Sequence, residues 1–127
     1  MAVIVDSSVL IAYLRGEPIP LVDTASKDGT IVVPPIVVAE LVTGGKTPAE
    51  RAAIGELLGD SPLHPTPLAH WIAVGELRKK LRKAGVAVTI PDAHIAQCAL
   101  DLDGVLLTRD VIFRRLARHI PLRLAAE

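Results

Sequence analysis

The chain has 127 residues, half of them hydrophobic, with a mean hydropathy of +0.44 and a formal net charge of zero. Its apolar runs are shorter than the roughly 18 residues that a membrane-spanning helix needs, and a neutral chain does not hold nucleic acid by bulk charge alone. We therefore expect one soluble domain over residues 1–127, without disulfides because Cys98 is the only cysteine. The N-terminal residues do not combine a basic region with an apolar segment as an export signal does, so we expect the protein in the cytoplasm.

The first predicted element is a buried strand that ends in an acid. Residues 3–5 form a short β-branched apolar run, and Asp6 follows at its C-terminal end, where open α/β sheets place their ligand sites. A helix follows with apolar residues up to Leu14 and a stop at Gly16. Asp6 is therefore either a helix N-cap or the first part of a site.

Helix and strand then alternate. Residues 19–27 predict a short helix that a glycine ends, and residues 30–33 predict a second buried strand. The run 36–42 is rich in β-branched residues, but the prolines before it and the glycines after it favour a helix. Glu40 lies inside this apolar run, where an unpaired acid is unusual.

A capping box marks the next helix. Residues 47–50 have the sequence Thr-Pro-Ala-Glu, which combines a threonine cap, a proline in the first turn and the reciprocal glutamate. This pattern predicts a helix over 48–58, closed by Gly59. Residues 63–64 then leave room only for a short strand.

The longest predicted helix is capped by Thr66-Pro67 and ends at Gly85. Between these residues apolar side chains recur at helical spacing on one face. The opposite face is basic and carries Arg78, Lys79, Lys80, Arg82 and Lys83.

The last third of the chain completes an alternating pattern. It predicts a helix over 89–100, a strand over 105–107, a helix over 111–118 and an alternating edge strand over 120–124. Strands that alternate with helices indicate a mostly parallel α/β sheet covered on both faces.

Four acids fall where such a sheet gathers side chains at one edge. Asp6 and Asp110 follow predicted strands. Glu40 lies after the second strand, and Asp92 opens the helix at 89–100. Each alone is explained as a cap, a capping-box acid or an exposed residue. Together they would repel, by roughly 4 kcal/mol for a pair about 4 Å apart at an effective dielectric near 20, and a hard divalent cation such as Mg²⁺ or Mn²⁺ relieves such repulsion.

Histidine, cysteine and serine chemistry is not predicted. The chain lacks the Cys/His spacing that zinc prefers, and no G-x-S-x-G context surrounds Ser7 or Ser8. His94 is expected to be a partly buried structural residue. No pattern of partners is visible for His64, His70 and His119.

Four segments resemble the acidic motifs of PIN-domain ribonucleases. They are Val-Ile-Val-Asp-Ser-Ser-Val-Leu at 3–10, Val-Val-Ala-Glu-Leu at 37–41, Pro-Asp-Ala-His-Ile-Ala at 91–96 and Leu-Leu-Thr-Arg-Asp-Val-Ile-Phe at 106–113. The set occurs in order over nearly the whole chain. The short single-domain form resembles the VapC toxins of bacterial VapBC toxin–antitoxin pairs.

The resemblance implies a fold, an activity and partners. The fold is a three-layer α/β/α sandwich, and the activity is that of a Mg²⁺- or Mn²⁺-dependent endoribonuclease that cleaves structured RNA such as tRNA or rRNA. The implied partners are a second copy of the chain and a VapB-like antitoxin whose C-terminal segment covers the acidic edge. The implied catalytic and metal-binding residues are Asp6, Glu40, Asp92 and Asp110, supported by Ser8 and Thr108.

Basic side chains are candidates for holding the RNA backbone, and they are Arg15, Arg109, Arg114 and the basic face at 78–83. Residues 1–60 carry four basic and eight acidic side chains, whereas residues 61–127 carry ten and six. This division fits a metal site beside a phosphate-binding surface, and it also fits two solvated faces.

Three other classes of protein compete with this interpretation. A catalytically silent PIN-like binding module would keep the same fold. A phosphoacceptor receiver domain also places acids and a threonine at strand ends, but it needs a lysine after its last strand, and none follows Lys83. A haloacid-dehalogenase-type phosphatase needs Asp-x-Asp, and Ser8 occupies the second position.

Overall fold

Four strands and seven helices make up the computed structural model, which describes residues 1–127. Their order confirms the predicted alternation of strands and helices. The elements are β1 Val3–Val5, α1 Ser7–Leu14, α2 Pro20–Asp28, β2 Ile31–Val32, α3 Pro35–Gly44, α4 Pro48–Asp60, α5 Leu68–Lys83, α6 Ile90–Asp101, β3 Val105–Leu107, α7 Ile112–Leu116 and β4 Arg123–Leu124.

The sheet is parallel throughout, in the order β2-β1-β3-β4. Every residue of β1 is buried, as expected for a central strand with helices on both sides. Val5 of β1 pairs with Leu107 of β3, so the C-terminal ends of these two strands lie side by side. Asp6 and the residues that follow Leu107 therefore meet at one edge of the sheet. The predicted helix-covered parallel sheet is confirmed.

Aliphatic side chains fill the core, in which 29 buried hydrophobic residues form one cluster. Helix α6 presents small residues such as Ala93, Ala96 and Ala99 to this core, which lets it pack close to α5 and to the sheet. None of the seven helices has both the length and the apolar composition to cross a bilayer.

Most helix boundaries differ from the predictions by one or two residues, and three of the differences are informative. Helix α4 continues through Gly59 to Asp60, because that glycine keeps a helical backbone and does not adopt the left-handed conformation that ends a helix. Helix α7 covers only residues 112–116. Helix α5 starts after Pro67, but its predicted cap is absent: Thr66 has a φ of 41° and makes no side-chain cap.

Three predicted strands are shorter than expected. The strand predicted over residues 30–33 is limited to Ile31–Val32. Residues 63–64 contribute only one isolated bridge, between Val33 and Leu63. The last strand is limited to residues 123–124, because Pro121 has no N–H to donate to a ladder. None of these shorter strands changes the side of the sheet at which the C-terminal ends of β1 and β3 lie together.

Gly104 lies where β1 passes close to the turn between α6 and β3. A Cβ atom at this position would lie 2.5 Å from the Ala2 carbonyl oxygen and 2.8 Å from Ile4 Cδ1. We expect Gly104→Ala to lower the free energy of unfolding by roughly 1–3 kcal/mol, because the backbone of β1 must move. The matched control is Gly55→Ala in α4, where no atom beyond the helix's own nearby backbone lies within 4 Å of the added Cβ, and it should stabilise slightly. Equal melting temperatures for the two variants would contradict this packing.

Candidate active site

Asp6 is fixed from two sides at the end of β1. It is only 4% exposed, and its Oδ1 accepts hydrogen bonds from Ser8 Oγ at 2.5 Å and from the Val9 backbone N–H at 3.4 Å. Its Oδ2 accepts a hydrogen bond from the Thr108 hydroxyl, which follows β3. Asp6 caps α1, as one interpretation predicted, and the same carboxylate also faces the end of the neighbouring strand.

Ser8 and Thr108 hold the turn that carries Asp110. The Thr108 hydroxyl oxygen accepts the Asp110 backbone N–H at 3.0 Å, and Ser8 Oγ accepts the Arg109 backbone N–H at 3.3 Å. The Asp110 carboxylate in turn accepts the Ile112 N–H at 3.1 Å at the start of α7. These bonds fasten the loop after β3 to the loop after β1.

Helices α3 and α6 bring two more acids to this edge. Thr89 caps α6 and accepts the Asp92 backbone N–H at 3.2 Å, which places Asp92 in the first turn. Loss of solvent, followed by the charges of Asp110 and Asp6, raises the pKa of the Asp92 carboxyl. Glu40 is an exposed residue of α3, but its carboxyl group has lost part of its solvent. This loss, followed by the charges of Asp6 and Asp92, raises the pKa of the Glu40 carboxyl. The four predicted acids are therefore close enough to repel one another.

No basic side chain neutralises these four acids. None of the ion pairs of the structure includes Asp6, Glu40, Asp92 or Asp110. A group of carboxylates that share their repulsion and offer only oxygen donors fits a hard divalent cation. The residues present therefore match the donor set that such an ion requires.

The candidate RNA-binding side chains differ in their exposure and in their ion pairs. Arg109 follows Thr108 at the acidic edge, but its guanidinium pairs with Glu17 and, at 2.7 Å, with Glu127, and these carboxylates raise its pKa. The Arg15 Nε atom lies 3.6 Å from Oε1 of Glu50. Arg114 is exposed on α7. On the basic face of α5, Arg78 donates to the carbonyl of Val88, whereas Lys79, Lys80, Arg82 and Lys83 are exposed.

A second group of interacting side chains was not predicted from the sequence. His64 and His70 are buried with Cys98, and ligand atoms of the three lie within 4.8 Å of one another. His94 is fully buried beside them, 2.7 Å from His70. The sequence showed no pattern of partners for His64 and His70, yet both contact Asp101, and His94 is fully rather than partly buried. One signal was present in the sequence: His94 and Cys98 are four residues apart and so share a helix face.

Asp92→Asn should leave the metal-free protein as stable as the parent at neutral pH, or more stable. Because the pKa of Asp92 is raised on folding, its charged form costs stability, and this cost grows as the pH rises above about 4. Thermal unfolding in EDTA measures the effect. The parent and the variant should converge in acid, where the parent's carboxyl is protonated.

The same variant should lose the stabilisation that Mn²⁺ gives to the parent by binding the folded state. Glu56→Gln, at an exposed acid of α4, is the matched control and should keep it. A metal-free Asp92→Asn protein that melts several degrees below the parent would assign Asp92 to helix capping alone.

Comparison with known proteins is consistent across sequence and structure. The model of the PIN domain family matches residues 3–119. Ribonuclease VapC10 of Mycobacterium tuberculosis is 32% identical over 111 residues, which are 86% of this chain and 83% of the relative. The VapBC2 structure from Rickettsia felis, bound to a DNA fragment from its promoter, has a chain with a TM-score of 0.81 at 20% identity, covering 98% of both chains. For VapBC-1 from nontypeable Haemophilus influenzae the TM-score is 0.74 at 21% identity, covering 98% of this chain and 97% of that one.

Proposed function

The chain belongs to the PIN domain family, and on that premise we propose that it is a metal-dependent endoribonuclease, the toxin of a toxin–antitoxin pair. One observation carries the proposal. Four acids from four separate segments converge at the C-terminal ends of β1 and β3, and no basic side chain pairs with them. A binding module without catalytic activity gains nothing from four carboxylates that repel one another. All four acids of the resembled motifs are present in this chain.

The chain's own side chains are arranged to hold a reactive centre rigidly. Asp6 and Asp92 are the proposed principal ligands of Mg²⁺ or Mn²⁺, and Glu40 and Asp110 complete or orient the set. A divalent ion held by these carboxylates would supply the activation of a water and the stabilisation of charge that hydrolysis of a phosphodiester requires. Because Ser8 and Thr108 already fix both oxygens of Asp6, that carboxylate needs little reorganisation when charge develops.

The proposed substrate is structured RNA, with tRNA and rRNA as the principal candidates. The exposed cations at Arg114 and on α5 are proposed to hold the phosphate backbone of the RNA, together with Arg15 and Arg109. Purified protein should cleave such RNA with Mg²⁺ or Mn²⁺, stop when EDTA is added, and leave duplex DNA largely intact. Cleavage that continues in EDTA would contradict a metal-dependent mechanism.

The proposed partners are a second copy of the chain and a VapB-like antitoxin, in the cytoplasm. The N-terminal half of α5 exposes Leu68, Trp71 and Ile72, whose exposed fractions are 75%, 42% and 53%. A contiguous apolar surface of this kind is typical of a face that another chain covers. The antitoxin's C-terminal segment is proposed to lie over the acidic edge.

A further inference from the structure

A second polar cluster, buried except for its aspartate, involves none of the four acids. It contains three of the four histidines and the only cysteine of the chain. The loop before α5 contributes one member, α5 another, and α6 the remaining three. The exposed fraction is 3% or less for each histidine and for the cysteine. We call this group the histidine cluster, and its members are His64, His70, His94, Cys98 and Asp101.

The hydrogen bonds fix the protons of the metal-free cluster. The Thr66 N–H donates to His64 Nδ1 at 2.9 Å, so the proton of the neutral His64 ring is on Nε2 and is donated to Asp101 Oδ2 at 3.0 Å. His70 Nδ1 donates to the same oxygen at 2.5 Å. With one proton on its ring, His70 offers Nε2 as an acceptor for the N–H of His94 Nδ1, 2.7 Å away. Metals bind this neutral form of an imidazole, in which one ring nitrogen has a free lone pair.

We propose that the histidine cluster binds a zinc-type divalent ion through His64, His70 and Cys98, with His94 as the fourth ligand. Imidazole and thiolate are the donors that Zn²⁺ prefers, and a site closed by four protein ligands is typical of a structural ion. Bond lengths of about 2.0 Å to nitrogen and 2.3 Å to sulfur separate tetrahedral ligands by about 3.3–3.6 Å. The three ligand atoms lie within 4.8 Å of one another, so shifts of about 1 Å bring them to these distances.

Asp101 strengthens this assignment. Besides the bond from His64, its carboxylate accepts the Nδ1 proton of His70 and, at 2.8 Å, a hydrogen bond from Gln97. A histidine whose Nδ1 proton is donated to a carboxylate presents Nε2 as a well-oriented and more basic metal ligand. His94 lies between His70 and Cys98, with the Cys98 Sγ atom 3.9 Å from its ring nitrogens.

Binding of the ion releases one proton to solvent and moves two others. Cys98 loses its thiol proton. His94 transfers its proton from Nδ1 to Nε2, and His64 transfers its proton from Nε2 to Nδ1, where it meets the N–H of Thr66. Thr66 must therefore move. Its φ of 41° is a conformation that β-branched residues rarely adopt.

The donor chemistry separates this site from the acidic edge, which offers only carboxylate oxygens. The histidine cluster joins the loop before α5 to α5 and α6, and α6 carries Asp92 in its first turn. An ion at the cluster would therefore fasten the helix that presents Asp92 to the acidic edge. This role does not depend on the proposed nuclease activity.

Metal content and cobalt spectra test the site. Purified full-length protein, dialysed against Zn²⁺ and assayed by mass spectrometry and by competition with a chromophoric chelator, should retain one zinc ion per chain. Asp92→Asn should keep the same affinity. Cys98→Ala and His70→Gln should weaken zinc binding by at least about tenfold. His119→Gln, at the exposed histidine outside the cluster, is the matched control. With Co²⁺, the parent should show a thiolate-to-metal charge-transfer band and a shifted Thr66 amide resonance.

Three results would overturn the proposal. A folded parent that retains no zinc leaves the cluster as a hydrogen-bonded network only. Equal zinc affinity for the parent and Cys98→Ala excludes the thiolate, and loss of zinc from Asp92→Asn assigns the ion to the acidic edge. If Cys98→Ala or His70→Gln does not fold, the parent's cobalt spectrum decides alone, because absence of the charge-transfer band excludes coordination by Cys98.

Discussion

Asp6→Asn is expected to lower the rate of RNA cleavage by at least about a hundredfold, the cost of deleting one electrostatic element of a catalytic site. The asparagine keeps the shape of the side chain, and its amide oxygen can still accept hydrogen bonds from Ser8 and from the Val9 N–H. Its amide group can donate to the Thr108 hydroxyl, which now accepts. The fold is therefore retained and only the negative charge is lost.

Single-turnover cleavage of one RNA substrate measures this loss, with circular dichroism as the check on folding. Glu40→Gln should show a similar deficit, and Glu56→Gln, an exposed acid of α4, should cleave at the parent's rate. The double variant Asp6→Asn, Asp92→Asn should be little slower than either single variant, because residues that act as one unit are strongly non-additive. Should Asp6→Asn match the parent in a preparation free of contaminating nuclease, Asp6 is only a helix cap.

Two of the four acids could be placed from the sequence because the sheet is parallel. A short buried apolar run followed at once by a polar residue marks the C-terminal end of a strand, and this pattern occurs before Asp6 and before Thr108. Parallel strands end on the same side, so the two loops had to share an edge. The pairing of Val5 with Leu107 makes them adjacent as well.

Glu40 was harder to place because local preferences conflicted. The run 36–42 is β-branched, which favours a strand, yet it forms α3. Pro35 is pre-organised for the first turn of that helix, and tertiary packing of Val37 and Leu41 against the core outweighs the strand preference.

The histidine cluster was not predicted because its members come from distant parts of the chain. His64 lies in a loop whose conformation depends on Thr66 at a positive φ, an unusual state for threonine. His70 reaches the cluster only because α5 packs along α6. Spacing within one helix can pair His94 with Cys98, but the approach of two other segments is a property of the tertiary fold.

Boundary errors had a different cause. The sequence predicts a helix stop at Gly59, yet this residue remains in α4, because a glycine ends a helix only where the chain uses its left-handed conformation. Gly29 does so, with a φ of 68°, and ends α2 as predicted. The two glycines look alike in sequence and differ in the backbone conformation that the tertiary fold gives them.

Expression of this chain alone is expected to arrest the growth of its organism of origin, and co-expression of the gene immediately upstream should restore growth. Arrest follows because each molecule of a nuclease acts on many RNA molecules. Relief follows because a tightly bound segment over the acidic edge excludes the substrate from Asp6 and its neighbours.

The decisive control is again Asp6→Asn, which keeps every surface that a partner contacts outside the acidic edge. This variant should accumulate without slowing growth and should still co-purify with the upstream product. Toxicity equal to the parent's would show that the arrest does not come from the acidic site. Unimpaired growth at high expression of the folded parent would remove the toxin assignment while leaving the metal-dependent cleavage of purified RNA to be judged by its own assay.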